Sequence, residues 1–352
     1  MWLKFLVLFL CLAQQVIAQE VKEASENALE EGSIELLQES LIENPSPEIP
    51  LLEDRPLKKE MIEIPVVSRE EFKPSIRENL PALIDRERVE SIAAHSPYVL
   101  LPHRPNFFLP FTYVNKPNEQ VLNRQAEYYG LDRNAQLEYW EMMMQFSIKY
   151  QLMTGLLTKL DRIEIGYTNR SFWQAYNSAM SRPFRETNHE PEIIYSWSPS
   201  IQFLDAASIA FNHHSNGQTG PLSRSWNRVI FNAASFRSFG AWSVTAWWRI
   251  PETNKSDPED PSDNDNPDIQ DYLGYGELNY LRTLGKSNVH VRLRNNFDWE
   301  QNRGAIELNY SFPLTKRVKG YLYFFNGYGE SLIDYDHYQR RIGLGFKLSD
   351  WI

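Results

Sequence analysis

A histidine and a serine two residues apart close a short apolar segment of the chain. The segment spans residues 203–215, and it offers His213 as a candidate base and Ser215 as a candidate nucleophile. Side chains two residues apart on a β-strand share one face. Phe211 and Ile209 lie on that same face, which is the more apolar of the two. The spacing therefore predicts a catalytic pair on an apolar strand face, which would point at lipid in a membrane barrel.

A third candidate, Asn227, lies on the strand expected to follow. Asn227, Val229 and Phe231 fall on one face of it, and antiparallel pairing with the preceding strand would bring Asn227 beside His213. A neutral His213 could then take the proton of Ser215 while its other ring nitrogen donates to the amide oxygen of Asn227. Because the base must be neutral, activity should fall on acidification through the range in which histidine normally gains a proton.

His-x-Ser alone is a weak signal, since residues 215–221 are rich in glycine and polar residues and could form an ordinary hairpin loop. The alternative function is a non-enzymatic outer-membrane porin or structural barrel, in which His213 and Asn227 only pack near the rim. That alternative leaves two polar side chains beside lipid without a purpose, although such groups cost free energy unless they are paired. A soluble periplasmic esterase is the third possibility.

The first 18 residues resemble a targeting segment. Lys4 precedes an apolar run that is well short of the roughly 20 residues needed to span a bilayer. Small residues ending at Ala18 offer a cleavage site, so residues 1–18 are predicted to be a signal peptide and the mature chain to be exported. The single cysteine, Cys11, lies inside this segment. A mature chain without a thiol excludes disulfides and a cysteine nucleophile.

The next part of the chain is acidic and poor in aromatic residues. Residues 19–95 contain 19 acidic and 9 basic side chains, which account for the whole net charge of -10. They include neither Trp nor Tyr, so residues 19–97 are predicted to be a disordered acidic extension and residues 98–352 the folded domain. The remainder of the chain is nearly neutral, and nucleic acid is therefore not an expected partner.

Alternation with a period of two recurs through the folded domain. In residues 341–348, apolar side chains at even positions alternate with charged residues and glycine at odd positions. Trp242, Trp247, Trp248, Tyr321 and Tyr323 fit aromatic girdles. We therefore predict an all-β fold, a transmembrane antiparallel β-barrel of about twelve strands, in preference to a soluble β-sandwich. The candidate strands are centred near residues 110, 147, 168, 194, 208, 231, 245, 277, 292, 307, 322 and 343.

Several extended strings in this domain resemble the outer membrane phospholipase A family. The resemblance spans about residues 98–352, and because the strings are long and in the family's order it is specific. Its main motifs are NHHSNG at 212–217, SRSWNR at 223–228, PFRETN at 183–188, DNPD at 265–268 and GYGESLIDY at 327–335.

The resemblance implies a calcium-dependent enzyme of the Gram-negative outer membrane that hydrolyses acyl esters of phospholipids and lysophospholipids and is active as a homodimer. It implies Ser215 as nucleophile, His213 as base, Asn227 as orienting residue and the backbone amide of Gly217 as oxyanion donor. The implied calcium ligands are Ser223, the backbone of Gln218, Asp265, and Ser181 of the partner subunit.

The chain departs from the family pattern near the implied metal site and at its end. Gln218 stands where the family usually has Arg, and this change should be tolerated because the implied ligand is the backbone of the residue. Arg182 also departs from the pattern and adds a positive charge beside Ser181. Family members usually end in an aromatic residue, but here Ile352 follows Trp351. These departures lie outside the residues implied to be catalytic.

Overall fold

The structure, a computed structural model, covers most of the predicted folded domain. It describes residues 86, 88–90, 92–93, 99–130, 136–158, 161–199, 201–253, 264–315 and 317–349. The predicted signal peptide and most of the predicted acidic extension lie outside the described residues.

In the described part of the chain, twelve long strands and one short strand form a single antiparallel sheet that closes on itself. From β2 to β13 each strand pairs with the next, and β13 pairs back with β2, while β1 adds two residues beside β3. The strands are β1 Leu101–Pro102, β2 Asn106–Val114, β3 Trp140–Thr154, β4 Arg162–Trp173, β5 Glu186–Trp197, β6 Ala206–Ser215, β7 Ser225–Arg237, β8 Gly240–Arg249, β9 Gly276–Leu284, β10 Ser287–Asn295, β11 Gly304–Pro313, β12 Lys319–Gly327 and β13 Gln339–Ser349. The predicted barrel is confirmed, and every predicted strand centre falls within one of β2 to β13.

Within the described residues, two short α-helices and the 3-10 helix Gly220–Leu222 lie between strands. Helix α1 covers Glu119–Tyr129 and α2 covers Ile269–Leu273. Asn118 caps α1 by accepting a hydrogen bond from the backbone of Val121, and Gly130 ends it in the left-handed conformation. No helix in the described ranges is long and apolar enough to cross a bilayer.

The alternation in β13 divides the barrel into two surfaces. Ile342 and Leu344 are 57% and 51% exposed on the outside, whereas Arg341 and Lys347 are buried inside. The neighbouring strands follow the same rule, because opposite residues in paired strands share a face. Apolar side chains therefore cover the outer wall and polar ones line the interior, as expected of a barrel in lipid.

Three residues assigned from sequence to the aromatic girdles lie elsewhere. Tyr321 and Tyr323 are each 1% exposed and pack inside the barrel against Phe107, whose ring centre is 5.1 Å from that of Tyr321. Their positions on β12 point inward, since Leu322 between them is exposed outside. Trp247 is 7% exposed and packs inside against Trp226, whereas Trp242 and Trp248 face outward. Strand parity, rather than aromatic character, decides which side these rings occupy.

The interior charges are paired rather than solitary. Arg341 Nε lies 2.8 and 2.7 Å from the two carboxylate oxygens of Glu330, and Nη2 lies 2.7 Å from an oxygen of Glu141. Arg185 also binds Glu141, through Nε at 3.0 Å, and reaches Asp334 through Nη1 at 2.7 Å. Buried charges need partners of this kind, because an isolated ion would pay a large desolvation cost.

The end of the predicted disordered extension differs from the expectation. The described residues between 86 and 93 are helical, and Glu90 among them is 5% exposed. Its carboxylate lies 2.9 Å from Lys149 Nζ on β3 and 3.0 Å from Arg162 Nη1 on β4. Pairing with barrel cations gives this segment a fixed position that its acidic composition did not predict.

Candidate active site

The two candidate catalytic strands are neighbours, and their register brings the candidate residues together. β6 pairs antiparallel with β7, with His213 opposite Asn227 and Ser215 opposite Ser225. Phe211, two residues before His213, is 50% exposed, whereas Asn212 is fully buried. His213, Ser215 and Asn227 therefore lie on the outward face.

A hydrogen bond joins the candidate base to the candidate orienting residue. His213 Nδ1 is 2.8 Å from Asn227 Oδ1, and Asn227 Nδ2 donates to Glu252 Oε1 over 2.9 Å. A carboxylate only accepts hydrogen bonds, so the Asn227 atom that faces Glu252 must be its NH2 group and the atom that faces His213 its oxygen. Nδ1 of His213 must then carry the proton, which leaves Nε2 as the basic nitrogen of a neutral ring.

Ser215 lies at the end of β6 between two polar neighbours. His189 of β5 is opposite it on one side and Ser225 of β7 on the other. Among the described residues, no hydrogen bond joins Ser215 Oγ to His213. Such a contact is often long before substrate binds, and the two side chains still share a face and a strand end.

The loop after Ser215 is organised by Asn216, a buried residue. Its Oδ1 accepts hydrogen bonds from the backbone amides of Gln218 and Arg224 at 3.3 and 2.9 Å, and its Nδ2 donates to Leu222 O at 3.0 Å. Gly217 has φ +64°, a conformation that other residues adopt only with strain. Asn216 thereby fixes the loop that presents the Gly217 amide.

Apolar packing anchors the same loop to the rest of the domain. Leu222 is fully buried against Val121 of α1 and Ile333. Trp226, at the start of β7, is fully buried beside Trp247 of β8, with ring centres 6.3 Å apart. The site therefore rests on a packed interior, which favours a preorganised geometry.

His214 points the opposite way from His213, as strand parity predicts. Its Nδ1 accepts a hydrogen bond from the indole of Trp226 at 3.2 Å and lies 3.3 Å from a carboxylate oxygen of Glu190. These partners face the barrel interior. His214 therefore belongs to the internal polar network and not to the outward site.

The candidate calcium ligands Ser223 and Asp265 are in direct contact. Ser223 Oγ donates to Asp265 Oδ2 over 2.6 Å, and Ser225 Oγ donates to the same oxygen over 3.1 Å. Two hydroxyls and a carboxylate thus converge beside the strand end that carries Ser215. Calcium prefers oxygen ligands of this mixed kind, so the residues fit the ion.

The other two candidate ligands are placed less directly. The backbone amide of Gln218 is bound by Asn216, in the same loop as Ser223. Ser181 lies between β4 and β5, where its carbonyl accepts from the indole of Trp173 at 2.8 Å. Within the described chain it makes no hydrogen bond to Ser223 or Asp265. No group of three or more His, Cys, Asp or Glu residues in the described ranges could hold a metal ion, and the candidate set contains only one carboxylate.

Three residues at the site have no role in the sequence-based interpretation. A hydrogen bond of 2.7 Å joins His189 Nδ1 to Tyr167 Oη. The His189 ring lies 3.7 Å from the position that a Cβ on Gly217 would occupy. Ser225 shares the face of Asn227, so parity could have identified it. Glu252 follows β8 in an irregular segment, where no periodicity identifies a facing partner.

Comparison with known proteins finds relatives among the bacterial phospholipases. A family model described as Phospholipase A1 matches residues 83–348. A phospholipase A1 of Klebsiella pneumoniae is 33% identical over 284 residues, which cover 79% of this chain and 90% of that protein. The solved outer membrane phospholipase A of Escherichia coli aligns with TM-score 0.63 and 31% identity over 72% of this chain and all of that chain.

A second solved relative is the outer membrane phospholipase dimer of Salmonella typhi with bound calcium. It aligns with TM-score 0.63 and 32% identity over 73% of this chain and 94% of that chain. Together with the closed barrel, these relatives place the protein in the Gram-negative outer membrane as a multi-pass barrel. The chain belongs to the phospholipase A1 family.

Proposed function

We propose that the chain is a calcium-dependent phospholipase A that hydrolyses acyl ester bonds of phospholipids and lysophospholipids through Ser215, His213 and Asn227. Family membership supports phospholipase activity in the outer membrane. The observation that carries the finer proposal is the 2.8 Å contact between His213 Nδ1 and Asn227 Oδ1 on the outward wall, beside Ser215.

In the proposed reaction Ser215 Oγ attacks the ester carbonyl while His213 Nε2 takes the hydroxyl proton. The imidazolium that forms is held through Nδ1–H by the amide oxygen of Asn227. His213 then returns the proton to the departing alcohol, which is the lysophospholipid or glycerol derivative, and an acyl ester remains on Ser215. Water, deprotonated by the same histidine, releases the fatty acid and regenerates the serine.

The oxyanion of each tetrahedral intermediate needs a donor that is already in place. We assign this role to the backbone amide of Gly217, two residues after the nucleophile. The positive φ of Gly217 and the hydrogen bonds of Asn216 fix the direction of the loop. A donor held before the reaction begins requires no reorganisation when the charge develops.

Ser223, Asp265 and the backbone of Gln218 would hold calcium, together with Ser181 of the partner subunit. The bound ion supplies positive charge that favours the developing oxyanion. A ligand from the partner makes the site complete only in a homodimer. The contact between Ser223 and Asp265 supports this assignment, because it shows that hydroxyl and carboxylate oxygens can meet there.

An active site on the outer wall suits a lipid substrate. Phe211 and Phe231 lie further along the same outward face as the candidate residues and are each 50% exposed. The ester group of a phospholipid can therefore approach Ser215 while its acyl chain stays in an apolar environment. An uncharged orienting residue also lowers the cost of placing the site beside hydrocarbon.

Fatty acid release from mixed phospholipid and detergent micelles tests the proposal. We expect release by the refolded chain in calcium, loss with chelator, and a loss of at least about a thousandfold in Ser215→Ala, because the nucleophile is removed. The matched control is Ser287→Ala, a strand serine at the other end of the barrel on β10. Ser215→Ala protein that keeps the parent rate would remove Ser215 as nucleophile, and release unaffected by chelator would remove calcium.

A further inference from the structure

Glu252 extends the pair of His213 and Asn227 to a chain of three hydrogen-bonded side chains. Its Oε1 accepts from Asn227 Nδ2 at 2.9 Å, and its other oxygen lies 3.3 Å from Arg249 Nη2. The Glu252 side chain is 16% exposed, and that of Arg249 is 8% exposed. Glu252 is thus a mostly buried carboxylate that uses one oxygen for the candidate site and the other for a cation.

The backbone fixes Glu252 at the level of the site. The amide of Ile250 donates to Asn227 O over 2.9 Å, which ties the segment after β8 to β7 at Asn227 itself. Arg249 is held independently of Glu252, because it donates to Asn264 Oδ1 at 2.6 Å and to Asn266 O at 2.9 Å. Two separate sets of contacts, the backbone bond of Ile250 and the hydrogen bonds of Arg249, therefore hold the carboxylate of Glu252 beside Asn227.

The carboxylate selects one orientation of the Asn227 amide. If the amide were rotated by half a turn, its oxygen would face the carboxylate of Glu252, and its NH2 group would face the ring nitrogen of His213. The first contact pairs two acceptors, and it carries the repulsion of a full negative charge. Without Glu252 the amide loses this preference, and the proton of neutral His213 can reside on either ring nitrogen.

The negative charge also acts along the chain. A hydrogen bond to a charged acceptor is stronger than one between neutral groups, and it polarises the amide so that its oxygen becomes a better acceptor. The imidazolium formed when His213 takes the serine proton is then stabilised by a charge one side chain away. Arg249 offsets part of this charge, but it binds the far oxygen of Glu252, so the negative end of the ion pair is the end that faces Asn227.

We propose that Glu252 is a positioning residue that fixes the tautomer of His213 and stabilises its charged form through Asn227. The inference rests on the proposed function, since it takes His213 as the base. It goes beyond that function because it assigns the orientation of the Asn227 amide to Glu252, which is not one of the three residues proposed to act in the reaction. Glu252 itself need not touch substrate.

Exchange of the two polar groups tests the proposal. Glu252→Gln should lower kcat about tenfold at unchanged KM, because a charge-assisted hydrogen bond becomes a neutral one. Asn227→Asp should also lose activity, since it sets two carboxylates against each other. The double variant Asn227→Asp/Glu252→Gln restores a donor opposite an acceptor and should recover kcat to within about threefold of the parent. Glu300→Gln, an exposed loop acid at the same end of the barrel, is the charge control and should match the parent.

The inference would be overturned if the effects of Glu252→Gln and Asn227→Asp on kcat were independent of each other. If the double variant loses as much as the product of the two single losses, Glu252 does not act through Asn227. We expect Glu252→Gln to leave the calcium concentration at half-maximal rate unchanged. If a rise in that concentration explained the whole loss of activity, the effect would belong to the loop that carries Asp265, and the proposal would be contradicted.

Nitrogen-15 spectra of histidine-labelled protein supply a readout that needs no turnover. The parent should show His213 protonated at Nδ1, and Glu252→Ala should show a mixture of tautomers. An unaltered tautomer would overturn the role of Glu252 even where Ser215→Ala abolishes hydrolysis. Full hydrolysis by Ser215→Ala would instead refute the proposed function, whatever the spectra show.

Discussion

Asn227 lies directly opposite His213 across two antiparallel strands, with its amide oxygen 2.8 Å from the ring nitrogen Nδ1. The pairing is set by the backbone register and not by a flexible loop. Side chains on adjacent strands of a closed sheet have little freedom to separate, so the orientation of the histidine is established before a lipid arrives.

Removal of the Asn227 amide should therefore reduce turnover more than binding. We expect Asn227→Ala to lower kcat by about ten- to a hundredfold with little change in KM, because the imidazolium loses its acceptor. The measurement is fatty acid release over a range of substrate concentrations. Asn232→Ala is the matched control, since Asn232 lies on the same strand and bonds Thr245 instead. An equal loss in both variants would indicate damage to the strand.

The single carboxylate of the candidate metal site should dominate calcium affinity. Asp265→Asn keeps an oxygen near Ser223 but removes the negative charge, so the calcium concentration at half-maximal rate should rise by on the order of tenfold or more. Calorimetric titration of calcium should show the same shift. Asp298→Asn, on an exposed loop at the same end of the barrel, should leave both values unchanged. Calcium binding that is insensitive to Asp265→Asn would contradict the ligand assignment.

The interior cation Arg341 should matter for stability and not for chemistry. Arg341→Met would leave Glu330 and Glu141 buried without their shared partner, at a cost of about 3–5 kcal/mol in the free energy of unfolding. Urea unfolding of the refolded barrel, followed by tryptophan fluorescence, measures the loss. Arg340→Met is the control, because the neighbouring Arg340 is exposed. Equal stability of the two variants would refute the importance of the buried network.

Docking of the helical residues near 90 should be sensitive to acid. Burial acts to raise the pKa of Glu90, but the charges of Lys149, Arg86 and Arg162 outweigh it and lower the pKa from 4.5 to about 2. A lowered folded-state pKa means that the contribution to stability is complete above about pH 4.5 and is lost as the pH falls towards 2. Cleavage of this segment by pepsin should therefore accelerate across that interval.

Neutral pH offers a second check of the same contact. Glu90→Gln removes the charge without acid, so trypsin should cleave after Arg86 faster than in the parent at pH 7.5. Glu119→Gln, an exposed acid at the start of α1, should have no effect. Cleavage rates independent of both pH and Glu90→Gln would contradict docking through this ion pair.

Strand periodicity made most of the barrel predictable. In residues 341–348 one face meets lipid and the other a polar interior, and this contrast appears in the sequence as a period of two. The same contrast predicted that His213 and Asn227 share the outward face. The girdle assignment of Tyr321 and Tyr323 was wrong because it followed aromatic character instead of this period, and aromatic rings occur both at the membrane interface and in the packed interior.

Contacts made by irregular segments were beyond the reach of such patterns. Glu252 approaches Asn227 only because the segment after β8 bends back to β7, and no spacing in the sequence records that bend. The contact between Ser223 and Asp265 joins residues far apart in the chain, and it was expected from family resemblance rather than from periodicity. The helical residues near 90 were missed because their stabilising cations belong to distant strands.

The most direct test of the account is to identify the residue that becomes covalently modified. A long-chain alkylsulfonyl fluoride, presented in calcium-containing micelles, should sulfonylate the activated serine, and peptide mass spectrometry should locate the adduct. We predict a single adduct on Ser215 that forms in step with loss of hydrolysis and fails to form in His213→Ala. Inactivation with the adduct on another residue, or continued hydrolysis by protein fully modified at Ser215, would contradict the proposed mechanism.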